Sequence, residues 1–296
     1  MFKKITTLQI TPEIQNEVRT LITKSEAIFE SYRFAPPSAQ EKSRMGFSPN
    51  PTDKKYVSML GDNILLTVTS QGKSVSPFAI KQDMELIKAA MLKENPMTTF
   101  NKNSLKIIKE DATASITARA LLTEPKVSHI LIRPNGMVLV EGKGKAMEDV
   151  VSMVRKVLGS FPAFPVEVDK CPSRMLKEWT KHEGLKRDIF TLGSQAVILS
   201  GEGMEYKTKG ESLDNDANAQ SILKDDKSVV TSVEVEYDGV IGVTITDELT
   251  FEGIKIDKGM IENEEDVYAE MFKTSSELIK MVDDVFGRLT VEGEVA

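Results

Sequence analysis

The chain holds 296 residues, 40% of them hydrophobic and 28% charged, with a single cysteine and a formal net charge of −7. That is enough chain to bury a sizeable core without disulfides or metals, and Cys171 has no second cysteine to pair with internally. No apolar run approaches the roughly 18 residues that cross a bilayer, and Met1-Phe2-Lys3-Lys4-Ile5-Thr6-Thr7 has no signal-peptide core, so a reducing cytoplasm is the expected setting.

Residues 3 to 10 alternate as a strand. Thr11-Pro12-Glu13 then reads as N-cap, first-turn proline and dipole-compensating acid, opening a helix to about Phe29 with Ile14, Val18, Leu21, Ile22, Ile28 and Phe29 as its apolar stripe. From Ser31 to Asp53, Pro36, Pro37, Pro49 and Pro51 predict a long irregular connection. A strand from Asn63 to Thr69 leads through Gln71-Gly72-Lys73 to Ser76-Pro77, the start of a helix that runs to about Lys93. Pro96 closes it, and a second helix is expected from Ser104 to Leu122. This pair carries Lys81, Lys88, Lys93, Lys106, Lys109 and Arg119, a pattern that fits either a solvated face or a surface for a polyanion.

Val127 to Arg133, Pro134-Asn135-Gly136 and Met137 to Val140 predict a hairpin, with Asn-Gly supplying the positive φ angles of a type I′ turn. The next helix stops abruptly. Val150, Val151, Val154, Val157 and Leu158 recur at helical spacing, Arg155 and Lys156 suit the dipole of the last turn, Gly159 can take the left-handed cap, and Pro162 and Pro165 forbid continuation. A short strand at Val166 and Val168 and a short helix from Pro172 to Lys181 follow. Short strands fill residues 189 to 209, the last of them placing Glu205, Lys207 and Lys209 on one face by period two. Asp214 to Leu223 reads as a brief helix. Val229–Tyr237, Val240–Thr246 and Leu249–Ile256 form an antiparallel meander with one buried face, interrupted at Gly253 as by a bulge. Asn263 is expected to cap a final helix with the stripe Val267, Met271, Leu278, Val282, Val285 and Phe286. The elements describe an α+β fold of antiparallel sheets covered by helices.

An acidic total argues against nucleic acid, whose phosphates favour basic footprints. The total hides an asymmetry: residues 1 to 150 hold 21 Lys+Arg against 16 Asp+Glu, residues 151 to 296 hold 17 against 29. A positive lining on an acidic protein would give this split, and so would ordinary surface charge. His129 and His182 have no second histidine or cysteine at ligand spacing, so neither a catalytic triad nor a zinc site is expected. Gly136 to Gly144 lacks the spacing and the final Ser or Thr of a phosphate loop. Asp214-Asn215-Asp216-Ala217-Asn218 with Asp225 imitates a calcium loop, but Ala219 stands where the sharp turn needs glycine, and a capped surface helix is the better reading. No metal, no cofactor and no enzymatic activity are expected.

The corner Val154 to Val166 resembles that of the bacterial recombination-associated RdgC family. So do, in the same order along the chain, Met45-Gly46-Phe47-Ser48-Pro49, Ser76-Pro77-Phe78-Ala79-Ile80-Lys81-Gln82, Glu178-Trp179 and Val229-Val230-Thr231-Ser232-Val233-Glu234-Val235. The family's Met-Gly-Trp is here Met45-Gly46-Phe47. The resemblance implies one RdgC-like unit over residues 1–296, a multi-lobed protomer of a ring-shaped homodimer. Its approximate lobes are a central α/β body (1–75 and 126–185), a helical tip (76–125), and a finger with the meander and C-terminal helix (186–296). It further implies sequence-independent binding of double-stranded DNA, restraint of RecA-promoted recombination with RecA as a partner, nucleoid association, no membrane and no cofactor.

The resemblance carries over to residues as well. The family's basic finger falls on Lys207 and Lys209. Its Pro-Arg-Ala-Phe at the ring's closing interface falls on Ala118-Arg119-Ala120-Leu121, with proline and the aromatic both replaced. DNA contacts are thus expected from Lys207, Lys209, Arg119 and Lys81, and dimer closure from Leu121. Two other readings stand beside this one: an acidic module that binds the recombinase without DNA, and, more distantly, a metal-dependent nuclease.

Overall fold

Alternating residues near the N-terminus form β1 (Lys4–Ile10) in the computed structural model, which describes residues 2–181, 185, 189–208, 210, 213–257, 259 and 266–290. The chain divides into two compact units, one of Met1–Glu26, Pro49–Leu66 and Ser128–Ala296, the other of Ala27–Ser48 and Thr67–Val127.

The first unit is built on an antiparallel sheet. From β1 it runs one way to β6 (Met137–Glu141) and then β5 (Lys126–Ile132). The other way it runs to β12 (Thr250–Ile256), β11 (Ile241–Thr246), β10 (Val229–Tyr237), β8 (Phe190–Leu199) and the edge strand β9 (Glu205–Lys207). The meander alternates as expected, with Val233, Val235 and Tyr237 buried, and the bulge occurs: Gly242 pairs with Lys255 but Thr244 with Glu252, and Gly253 sits at φ +61°. Against the sheet lies α8 (Val267–Leu289), burying Met271, Leu278, Met281, Val282, Val285, Phe286 and Leu289. Two of its acids fix it there: Asp283 takes a two-pronged bond from Arg133 (2.6 and 2.8 Å), and Asp284 accepts from the Tyr237 hydroxyl, which burial and that carboxylate push to a high pKa. Val267, expected in the stripe, is exposed. The cap is Asp266, whose carboxylate accepts from Tyr268 N–H; Asn263 lies outside the described residues.

The corner after α5 (Lys145–Leu158) forms as its residues require: the four valines are buried and Gly159 takes φ +76°. The strand after it is β7 (Ala163–Pro165), earlier than the expected Val166 and Val168; it pairs antiparallel with β1, with Ala163 opposite Ile10 and Pro165 opposite Leu8. The α6 helix is Pro172–Trp179, and α7 is Ala217–Leu223, capped by Asp216. At the hairpin of β5 and β6 only Gly136 has positive φ. Pro134 and an Arg133 carbonyl that accepts from Gly136 N–H (3.1 Å) make a three-residue loop in place of a type I′ turn.

The expected first helix is broken at Ser25 (φ −102°, ψ 19°) into α1 (Gln15–Lys24) and α2 (Glu26–Ser31). The stretch read as irregular contains β2 (Ser43–Ser48), and after it comes β3 (Val57–Leu60), which pairs with residues 63–66 of β4 (Asn63–Gly72). In the second unit β2 pairs with residues 67–72 of β4, and Phe29 meets Phe47 edge-on at 4.8 Å. Gly46 is required there: a Cβ would lie 2.6 Å from the Phe34 backbone. Two helices, α3 (Pro77–Glu94) and α4 (Lys102–Arg119), complete this unit, capped by Ser76 and Asn101.

Glu141 anchors the start of the chain. One oxygen accepts Lys3 N–H (3.0 Å), the other the His129 ring (2.7 Å) and its N–H (3.2 Å). Burial pushes this carboxyl up, but the His129 and backbone hydrogen bonds outweigh it and hold it below its ordinary value. A depressed carboxyl stabilises the fold above its unfolded pKa of about 4.3 and ceases to as pH falls through the folded one. Glu141→Gln should therefore lower stability at pH 7 by about 1–2 kcal/mol. Melting curves at pH 7 and pH 3.5 should show the gap to the parent closing on acidification.

Candidate nucleic-acid interface

The second unit gathers the positive charge. It holds 12 Lys+Arg against 8 Asp+Glu, a net of +4, and the first unit holds 26 against 37, a net of −11. Its two helices also carry uncovered apolar side chains: none of α3's residues is fully buried, and Phe78 and Leu86 are 68% and 69% exposed. Phe78 and Leu86 frame an open hollow of about 550 Å³ with Lys81, Gln82 and Glu85 between them.

Lys81 is exposed on the rim of that hollow and has no ion-pair partner among the described residues. Arg119 is different. Its guanidinium reaches across to Asp83 of α3 at 2.7 Å, so the last residue of α4 ties the helix pair together. Leu121 lies beyond the end of α4, in a short segment rather than the helix, and is 80% exposed. Its carbonyl accepts from Ser74 N–H (2.8 Å), which holds the segment beside the residues that follow β4.

Lys207 belongs to the first unit. It lies on β9, opposite Val197, and its ammonium meets Glu205 on the same face at 2.8 Å. Lys209 lies outside the described residues. Tyr206, on the other face, donates to Asp216 (3.0 Å), and the same carboxylate accepts the N–H groups of Asn218 and Ala219. That use explains the acidic run read above as a calcium-loop imitation: its central carboxylate is a helix cap. Cys171 is exposed ahead of α6, its thiol drawn below the usual pKa by the Ser173 hydroxyl and then by Arg174 N–H. His182 lies outside the described residues.

The structure thus brings Lys81, Arg119 and Leu121 into one unit and leaves Lys207 in the other. Sequence reasoning missed Asp83, the partner that engages Arg119, and Lys73, whose ammonium bonds only to carbonyls. An acid four residues before a cation would have been a signal; a partner 36 positions away is not.

What these features define is an α+β protein with segregated charge and an exposed apolar segment. Among the described residues no group of three or more His, Cys, Asp or Glu is placed to hold a metal ion, and no helix is long and apolar enough to cross a membrane. The chain belongs to the RdgC family: the family model described as "Putative exonuclease, RdgC" matches residues 1–288. It is similar to the recombination-associated protein RdgC of Haemophilus influenzae, 24% identical over 275 residues, 92% of this chain and 88% of that one. The same-named protein of Tolumonas auensis is 24% identical over 276 residues (91% and 88%), and that of Colwellia psychrerythraea 27% over 237 (78% and 73%).

If Arg119 ties the helices, Asp83→Asn and Arg119→Ala should each cost up to about 1 kcal/mol, the range of exposed pairs. Their double mutant should cost no more than the larger single change. Denaturant melts of the four proteins give the coupling; fully additive costs would return Arg119 to the free cations.

Proposed function

We propose that this protein binds double-stranded DNA without sequence preference, as a homodimer closed round the duplex, and in doing so restrains RecA-promoted recombination. Family membership over residues 1–288 carries this reading, since its relatives are named for an association with recombination. The charge distribution supports it: a net +4 unit can meet phosphates within a chain of net −7. Sequence-independent binding needs only positive groups set to meet the backbone, and enclosure adds persistence without base readout. No group is then required to act on a bond. The nuclease description of the family model is tested alongside, as magnesium-dependent cleavage of the same duplexes.

One further observation favours a second reading. The first unit's net charge of −11 suits a module that binds the recombinase directly, without DNA. Gel shifts with unrelated duplexes at 50 and 200 mM salt separate the two. The DNA reading expects equal affinity for all sequences and a steep loss with salt; the module expects salt-tolerant binding to recombinase alone.

Closure is assigned to Leu121, whose exposed side chain would fill the hollow beside Phe78 and Leu86 on the second copy. Burying it is worth roughly 1.5–3 kcal/mol. Leu121→Asp should open this one interface and raise the dimer dissociation constant, with melting unchanged, and should weaken retention on circular DNA more than binding to short linear duplexes. A lowered melting temperature with the dimer intact would make Leu121 part of the fold instead.

Lys207 and Lys209 are assigned to phosphate contacts. Replacing both with alanine should weaken binding to all duplexes about equally and lower the salt slope by roughly 2, at ~0.9 per contact. Because Lys207 also meets Glu205, Glu205→Gln should strengthen binding modestly. An unaltered slope in the double mutant would move the contacts to the cations of α3 and α4.

A further inference from the structure

By sequence Lys73 is one more cation, in the connection between β4 and α3. Its ammonium, however, makes three short bonds to backbone carbonyls: Ser38 (2.7 Å), Ala39 (2.8 Å) and Thr117 (3.0 Å). Three donors meet three acceptors, which is all an ammonium can offer. Thr117 lies in the last turn of α4, where its carbonyl takes only a long bond from Ala120 N–H (3.4 Å) and a cation is favoured by the dipole. The other two carbonyls come from a turn that is itself closed, with Glu41 accepting Ser38 N–H at 2.7 Å. On either side of Lys73 the backbone is bonded to the segment after α4. Gly72 O accepts Thr123 N–H (2.9 Å), Lys73 bridges to Leu122, and Ser74 N–H donates to the Leu121 carbonyl (2.8 Å). Gln71 adds a side-chain bond to the Thr123 carbonyl at 2.8 Å.

We infer that Lys73 is a positioning residue: by binding the end of α4 to the 38–39 turn, its ammonium fixes the direction in which Leu121 is presented. The inference rests on the closure role proposed for Leu121. A lysine with every donor engaged on carbonyls also has none left for phosphate.

The decisive substitution is Lys73→Met, which keeps the unbranched stem and removes the donors. It should raise the dimer dissociation constant roughly tenfold, equivalent to about 1.4 kcal/mol. In a Leu121→Ala background it should add little, because an unpresented side chain cannot be lost twice. At protein concentrations well above that constant the salt slope of DNA binding should equal the parent's. Lys73→Gln, which keeps an N–H donor, should show a smaller loss, and it serves as the test variant if the methionine protein does not fold. An unchanged dissociation constant overturns the inference while Leu121→Asp still raises that constant, which leaves the closure reading standing. A loss that adds in full to Leu121→Ala makes Lys73 a general stabiliser and overturns it too, as does a slope reduced by about 0.9, the mark of a phosphate contact. If Leu121→Asp leaves the dissociation constant unchanged, the closure reading fails first and this inference falls with it.

Discussion

The apolar face of α8 is the surface on which the first unit closes. Leu278, Met281, Val282, Val285, Phe286 and Leu289 meet the inward residues of the meander, and their burial is worth roughly 9–18 kcal/mol gross, at about 1.5–3 per side chain. An antiparallel sheet with one wet face cannot stand without such a cover. The helix could slide along a uniformly apolar surface, and the polar contacts at its C-terminal half prevent that. Arg133 to Asp283 and Tyr237 to Asp284 are neighbours on the helix but draw on different strands, β10 and the end of β5, so they fix both its position and its rotation. Thr274 and Ser275, buried on the same face, let the first half approach closely.

Legibility in the sequence followed the range of the interaction involved. The corner at Gly159 was readable because helix spacing, last-turn cations, a left-handed glycine and two prolines all act within 16 residues. The Gly253 bulge was readable for the same reason. β2 and β3 were not. Their surroundings are rich in proline, and order there comes from Asn50, whose buried amide donates to Lys55 O, Tyr56 O, Ser58 Oγ and Leu65 O. No local pattern announces that an asparagine between two prolines will gather four acceptors. The type I′ expectation at Asn135-Gly136 failed through a neighbour, since Pro134 favours the first central position of a type I turn.

The candidate site was legible as a set of residue types and illegible as a set of partners. Composition counts cations; the fold sorts them. Lys73 is taken by carbonyls, Lys88 by Glu85, Arg119 by Asp83 and Lys207 by Glu205. Lys42, Arg44, Lys81, Lys93, Lys102 and Lys109 have no ion-pair partner among the described residues, and all six fall in the second unit. Partner choice separates a cation that shapes the protein from one that can meet a ligand. Except for close neighbours along a helix or a strand, it depends on contacts across tens of residues.

This sorting removes the conflict between an acidic chain and the polyanionic ligand proposed for it. At physiological ionic strength charges are screened beyond about 8 Å, so a phosphate responds to the few groups near it and hardly to a formal total of −7. Cations already neutralised by a carboxylate contribute little to that local field, and those bound to carbonyls are spatially committed. The effective positive surface is therefore smaller than the 12 Lys+Arg of the second unit suggest, but it is also less diluted than the chain's average implies. A weak footprint of this kind binds poorly in an open encounter. Under the proposed enclosure the balance changes, because a duplex that cannot diffuse away needs few contacts to remain bound.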